Sequence, residues 1–375
     1  MKILHVYKDY YPILGGIENH IKILAEAQAK NGIDVTVLAT SLTKETVIEN
    51  INAVKVIKAG RAITISRTPL SLSFLKFIHR MKVDVSHLHF PYPFGEFANY
   101  FLGVAKHTVI TYHSDIVKQR YIMKFYKPLL KKILNKANRI IATSPQYIET
   151  SIFLKELRHK CTVIPLGIDI NYFGKPDRFV SEDIRKKYKN PNLILFVGRL
   201  CYFKGLEYLI EAMQYVNGKL LIIGTGPEEQ NLKAKVNKDN LNWKIIFLGN
   251  ISNNDLPSYY DACDLFVLPS SHRSEAFGTV IIEAMASGKA VISTELGTGT
   301  SFVNVNGKTG IVVPPRNAKL LADAINSLLA DEQLRKKYEL NAKRRSEEFS
   351  SEHLVEKITN LYTEVVKEQE LGVCL

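Results

Sequence analysis

Two glutamates eight residues apart, Glu275 and Glu283, flank the run Ala276-Phe277-Gly278-Thr279. There turn-forming residues give way to Val280, Ile281, Ala284 and Met285 at helical spacing. A helix that starts near Phe277 or Gly278 leaves its first amides without intrahelical carbonyls, and its dipole favours an anion at that end. Glu275 then precedes the anion. Glu283, one to two turns in, can accept hydrogen bonds from a diol further along the same ligand. Such an arrangement suits a sugar joined through a diphosphate to a nucleoside. The plainer alternative is that Glu275 caps the helix and Glu283 is a surface residue.

Other groups point to the same chemistry. Gly198-Arg199-Leu-Cys-Tyr-Phe-Lys204-Gly205 follows an apolar run, so Arg199 and Lys204 leave a strand end together. A guanidinium fork and a compact ammonium suit a diphosphate. Gly15-Gly16 precedes a helix opening at Ile17-Glu18 and would let backbone approach a ligand closely, although a simple turn explains it as well. His113-Ser114-Asp115 also follows a strand, which makes His113 a candidate beside a ligand or else a structural hydrogen-bonder.

Positioning these groups requires parallel sheets. Apolar runs alternate with helical patterns from Ile3 to Thr143, and the same rhythm restarts at Asn192 after the polar stretch 175–191. The 375 residues exceed what one core usually serves. The expected fold is α/β, two doubly wound Rossmann-like domains facing a cleft, spanning 1–172 and 173–350. A C-terminal helix of about 351–370 is expected to cross back to the first domain. Ligands of such sheets bind outside the carboxyl ends of the strands.

Composition narrows the class. Hydrophobic residues are 46% and charged residues 23%, as in a globular protein, and no run approaches the ~20 apolar residues of a membrane span. No signal peptide is read at the start, so the expected location is cytoplasmic. The four cysteines form no CxxC pair and no histidine sits near one at ligand spacing, so no metal and no cofactor is expected. The net charge of +13 calls for an anionic partner. Part of it lies in 118–139, with eight basic residues, no acid and an interleaved apolar stripe. That segment is either a solvated face over a core stripe or a surface for nucleic acid or an anionic membrane.

These motifs, in this order, resemble the retaining glycosyltransferases of family four, which have the GT-B fold. The resemblance spans essentially the whole chain. It rests on Gly15-Gly16-Ile-Glu with His20, His113-Ser-Asp, Gly167-Ile-Asp169, Gly198-Arg-Leu with Lys204-Gly205, and the Glu275/Glu283 pair. It implies that Arg199 and Lys204 bind the donor diphosphate, that Glu275 contacts the transferred sugar and that Glu283 holds the ribose. His113 would lie beside the reacting sugar. The amides of Ala276, Phe277, Gly278 and Thr279, with Gly15 and Gly16, would cradle phosphate, and Asn250 and Ile251 would meet the base. The leaving diphosphate would be stabilised by these cations and amides without a metal. The stretch 294–304 looks like that of bacterial mannosyl- or rhamnosyl-transferases of O-antigen and polysaccharide synthesis. This implies GDP-mannose as donor, a lipid-linked oligosaccharide as acceptor, and 118–139 resting on the inner leaflet of the membrane. A UDP-sugar donor, a GT-B epimerase or phosphorylase, and a non-enzymatic basic membrane or nucleic-acid binding protein are the alternatives.

Overall fold

The computed structural model describes residues 1–13, 15–66, 68–116, 120–188 and 192–372, with the side chains of 120–124 and 369–372 outside that description. Contacts divide the chain into two compact units. Unit 1 is Met1–Gly167 together with the chain from Ser351 onward; unit 2 is Ile168–Ser350. The division falls slightly before the expected 172/173 because the chain has already joined unit 2 there. Ile168 bridges to Ser350, and its amide donates to the Phe349 carbonyl.

Unit 1 contains β1 (Lys2–Val6), β2 (Asp34–Thr40), β3 (Val47–Ile51), β4 (Val54–Ala59), β5 (Ile63–Ile65), β6 (Thr68–Leu70), β7 (Val85–Phe90), β8 (His107–Tyr112), β9 (Arg139–Ala142) and β10 (Cys161–Val163). Its main sheet has the order β10-β9-β8-β7-β1-β2-β4-β3, parallel except for β3, while β5 and β6 form a separate hairpin. Sequence patterning did not reveal β3, β5 or β6. The first is half exposed and the second fully exposed, so neither carries the continuous apolar run that marks a strand buried on both faces. The sheet winds both ways from β1, so its switch point lies between β1 and β7.

Unit 2 contains β11 (Leu193–Val197), β12 (Lys219–Ile223), β13 (Ile245–Gly249), β14 (Leu265–Leu268), β15 (Ala290–Thr294) and β16 (Gly310–Val313). They form one parallel sheet, order β13-β12-β11-β14-β15-β16, with the switch point between β11 and β14. Every residue of β11 and β14 is buried, as a sheet covered on both faces requires. The polar stretch 175–191 holds the helix Arg178–Tyr188. Only Ser181, Ile184 and Tyr188 of that helix are buried, too sparse a stripe to show in its strongly charged sequence. Pro191 lies outside the described residues.

The helix Ser351–Gly372 belongs to unit 1. Leu354, Val355, Ile358, Leu361, Tyr362 and Val365 pack with Ile3, Leu24, Val85, Val109, Ile141 and Ile164 in a single cluster. Replacing the fully buried Ile358 by Ala should remove about 2–5 kcal/mol. Hydrogen exchange read by mass spectrometry should then show lost protection in β1 and β7 and unchanged protection in β11 and β14. Equal loss in both units would contradict the assignment of this helix to unit 1.

Candidate active site

At the switch point of unit 2 the loops after β11 and β14 carry Arg199, Lys204 and Glu275, and the helix that follows carries Glu283. The loop after β11 carries Arg199, which is exposed, and a single turn Tyr202–Lys204 that ends at Gly205 with φ 64°. A Cβ on Gly205 would stand 2.2 Å from the Pro269 carbonyl oxygen, so only glycine lets this loop lie on the chain leaving β14. The two loops are joined further by Ser271, whose amide donates to the Phe203 carbonyl at 2.8 Å.

Lys204 Nζ lies 2.6 Å from Glu275 Oε2, with 11% and 9% of the two side chains exposed. Ser270 Oγ donates to the same carboxylate oxygen at 2.9 Å. The resemblance gave these two residues separate ligands, whereas in this structure each is the other's partner. Glu275 is therefore no helix cap, and no side chain caps the helix that follows. That helix is Thr279–Ala286, starting slightly later than expected because Gly278 is left-handed at φ 77°, where a side chain would be strained. The Ile281 amide turns back to the Gly278 carbonyl at 2.9 Å, and no side chain caps the amides ahead of it.

Thr298 Oγ1 donates to the Glu275 carbonyl at 2.8 Å and Thr294 Oγ1 to the Ser270 carbonyl at 2.5 Å. The stretch 294–304, read from sequence only as a family likeness, is the brace of the Glu275 loop. Its buried threonines, with Ser270, are the site residues that sequence reasoning missed. Glu283 is half-buried and accepts from Tyr260 Oη at 2.8 Å. Burial pushes its carboxyl up to about 7 against the weaker opposing effects of Tyr260 and Lys204. Asn250 and Ile251 follow β13 at the sheet edge; Asn250 is exposed and accepts from Thr225 Oγ1 at 3.4 Å.

Gly15, Gly16 and His113 lie in unit 1. Gly15 is the N-cap of the helix Gly16–Lys30, and a Cβ on Gly16 would meet nothing within 4 Å among the described residues, so no packing demands glycine there. His113 is 3% exposed. It belongs to a cluster that sequence spacing hid: His5 on β1, His20 on the following helix, His87 and His89 on β7, and His113 after β8. The fold assembles them at the switch point of unit 1. His5 Nδ1 lies 3.1 Å from His89 Nε2, and His89 Nδ1 lies 3.1 Å from His113 Nε2. Burial lowers His5 to about 4 and His20 to about 3, and takes the other three well below the usual histidine range. All five are neutral at pH 7.

Among the described residues two triplets, His5/His87/His89 and His20/His89/His113, hold ring nitrogens close enough to ligate a cation, a grouping that sequence spacing around the cysteines does not reveal. In the first, every ring nitrogen is already hydrogen-bonded. In the second, both nitrogens of His89 are taken. His5, His87 and His89 are thus engaged at every ring nitrogen, whereas both ring nitrogens of His20 and Nδ1 of His113 have no hydrogen-bond partner among the described residues.

A family model described as Glycosyl transferases group 1 matches residues 177–345, and one described as Glycosyltransferase Family 4 matches residues 14–172. The O-antigen chain mannosyltransferase C of Escherichia coli is 36% identical over 371 residues, with 98% of this chain and 99% of that one covered. The chain belongs to the family four glycosyltransferases. The D-rhamnosyltransferase WbpZ of Pseudomonas aeruginosa is also 36% identical, covering 92% and 91% of the two chains. The sucrose-phosphate synthase of Thermosynechococcus elongatus superposes with a TM-score of 0.81 at 24% identity, over 98% of this chain and 99% of that one, which shows the GT-B fold. Being an enzyme of this family excludes the purely non-enzymatic binding protein.

In this glycosyltransferase the raised carboxyl of Glu283 has a consequence for pH. Because its folded-state pKa is about 7 against the 4.5 of an ordinary glutamate, the folded state is penalised as pH rises through that window and fully so above it. Glu283→Gln should therefore stabilise the free enzyme at pH 8 and not at pH 4, while weakening nucleotide binding. Glu96, raised by burial to about 7 as well, titrates in both proteins, so the difference between their denaturation profiles isolates Glu283. A pH-independent difference would refute the burial of an ionisable carboxyl.

Proposed function

We propose that this glycosyltransferase moves a hexose from a nucleotide-sugar donor to a lipid-linked oligosaccharide in O-antigen or related polysaccharide synthesis, with retention of configuration and without a metal. Mannose from GDP-mannose is the preferred donor, favoured by the mannosyl- and rhamnosyl-transferase relatives. The observation that carries the reading is the Lys204–Glu275 pair beside the uncapped helix start at the switch point of unit 2.

Lys204 exchanges Glu275 for the donor diphosphate and, with Arg199 and the amides of 276–279, stabilises the charge that develops as the diphosphate leaves. Glu275, released, accepts hydrogen bonds from sugar hydroxyls while Ser270 keeps it in place. Glu283 takes the ribose diol. These carboxylates position the donor and neither acts as an acid or base. His113 supports the reading with a buried Nδ1 that has no hydrogen-bond partner among the described residues.

The membrane part of the proposal rests on the helix Arg120–Lys136. It buries Leu130, Ile133 and Leu134 in unit 1 and leaves Phe125 87% exposed beside the exposed Lys127 and Lys132. Lys118 lies outside the described residues. Among the described residues no helix is long and apolar enough to cross a membrane, so contact through this face would be peripheral. An apolar groove lined by Ile65, Leu70, Pro93, Phe97, Tyr126 and Leu129 suits the lipid portion of an acceptor.

The reading is tested by donor turnover. Lys204→Ala and Glu275→Gln should each lower kcat on the order of 100-fold or more; near wild-type rates in both would sink it. In thermal-shift measurements GDP at about 100 times its Kd should add about 2.7 kcal/mol of stability. Stabilisation by UDP but not GDP would replace the donor. The anomeric configuration of the product, read by NMR, and full rate in EDTA test retention and metal independence.

A further inference from the structure

The hydrogen bonds among the buried imidazoles of unit 1 have a direction, and one end dictates it. Gln28 Oε1 is a carbonyl oxygen and can only accept, so the His5 Nε2 lying 2.9 Å from it carries the proton. His5, His89 and His113 are neutral, and a neutral imidazole has one N–H and one bare nitrogen. His5 Nδ1 is therefore bare and accepts from His89 Nε2. By the same count His89 Nδ1 is bare and accepts from His113 Nε2. The chain ends at His113 Nδ1, a bare and buried nitrogen without a partner among the described residues.

The direction would reverse if the Gln28 amide turned over, for its NH2 would donate to His5 and His113 would end in an N–H. Tyr362, on the C-terminal helix, selects between the two. Burial raises the pKa of its phenol, and the Gln28 amide beside it acts in the opposite sense, as an N–H facing the phenolic oxygen does. Gln28 Nε2 makes no hydrogen bond of regular geometry among the described residues, so its hold on the phenol is electrostatic. With its oxygen so engaged, Tyr362 directs its own proton to His87 Nδ1, and His87 Nε2 donates to Thr111 Oγ1 at 2.6 Å. The phenolic O–H and the His87 Nε2–H then each meet an acceptor, and the Gln28 carbonyl is left toward His5.

We propose that Gln28, oriented by Tyr362, is a positioning residue for His113: through His5 and His89 it fixes the tautomer in which His113 Nδ1 offers a lone pair to a sugar hydroxyl. The inference rests on the reading of His113 as the residue beside the reacting sugar. A bare nitrogen accepts a hydroxyl hydrogen and rejects a carbonyl or carboxylate oxygen, so the same chain sets which substituent of the sugar is tolerated there.

The test is long-range 1H–15N correlation of the histidine rings in the full chain at pH 7.5, with His113 assigned from the signals missing in His113→Gln. It needs no donor. His5, His89 and His113 should all be protonated at Nε2. In Gln28→Leu and in Tyr362→Phe the His113 pattern should shift toward protonation at Nδ1, and kcat should fall about tenfold, the worth of one hydrogen bond. Should Gln28→Leu fail to fold, Tyr362→Phe keeps the ring in the core and carries both readouts. A wild-type His113 protonated at Nδ1, an unshifted tautomer in both variants, or a shifted tautomer with wild-type kcat would each overturn the proposal. Failure of the glycosyl-transfer reading itself shows instead as undiminished turnover in Lys204→Ala and Glu275→Gln, and leaves the ring tautomers as they are.

Discussion

An ammonium and a carboxylate that leave water must leave it together. Lys204 and Glu275 are each about nine-tenths buried and 2.6 Å apart. Stripping one of the other would leave an uncompensated buried charge, which typically costs about 3–5 kcal/mol. Much of unit 2 around the switch point is arranged to keep the pair closed. Gly205 is left-handed so that the Lys204 turn can lie on Pro269. Ser270 shares the carboxylate, and Thr294 and Thr298 hold the carbonyls of Ser270 and Glu275. A ligand able to satisfy both charges can open this pair at little net electrostatic cost, and a ligand that satisfies only one cannot. A sugar diphosphate, with an anion for the lysine and hydroxyls for the carboxylate, is of the first kind.

Unit 1 meets the same cost of desolvation by the opposite means. Its switch point is lined by five histidines, and with no carboxylate hydrogen-bonded to any of their rings among the described residues, burial keeps them neutral. Neutral imidazoles satisfy one another only when their tautomers agree along the chain, so neutrality brings order of a kind that charge would destroy. Glu275 and Glu283 show how local this choice is within one short segment. Glu275 faces an ammonium, while Glu283 faces the neutral phenol of Tyr260 and is pushed up to about 7 by burial.

Features set by local sequence were legible. Buried parallel strands such as Leu193–Val197 announce themselves as apolar runs, and the helix after Gly278 as a periodic stripe. So do the glycines and cations of the strand-end loops, because the loop that follows a strand inherits its position from it. Contacts between distant segments were not legible. Nothing in the spacing of Lys204 and Glu275 says that they touch, since adjacency of β11 and β14 decides it. The histidine cluster draws on three separate elements and the loop after β8, and only His87-x-His89, alternating on one face of β7, hints at it. Exposed strands such as β3 lacked the pattern that was sought.

The C-terminal helix joins these themes. It supplies half of one core cluster in unit 1, yet it is reached only after the chain has passed through the whole of unit 2. Unit 1 therefore cannot close its core over β1 and β7 until the last segment returns, a contact of high sequence separation. The same helix brings Tyr362 against His87 and Gln28. Closure of the apolar core and orientation of the polar network are thus one event, carried by one helix. The apolar residues fix where Tyr362 stands, and Tyr362 settles a choice among the buried imidazoles that apolar packing alone would leave open.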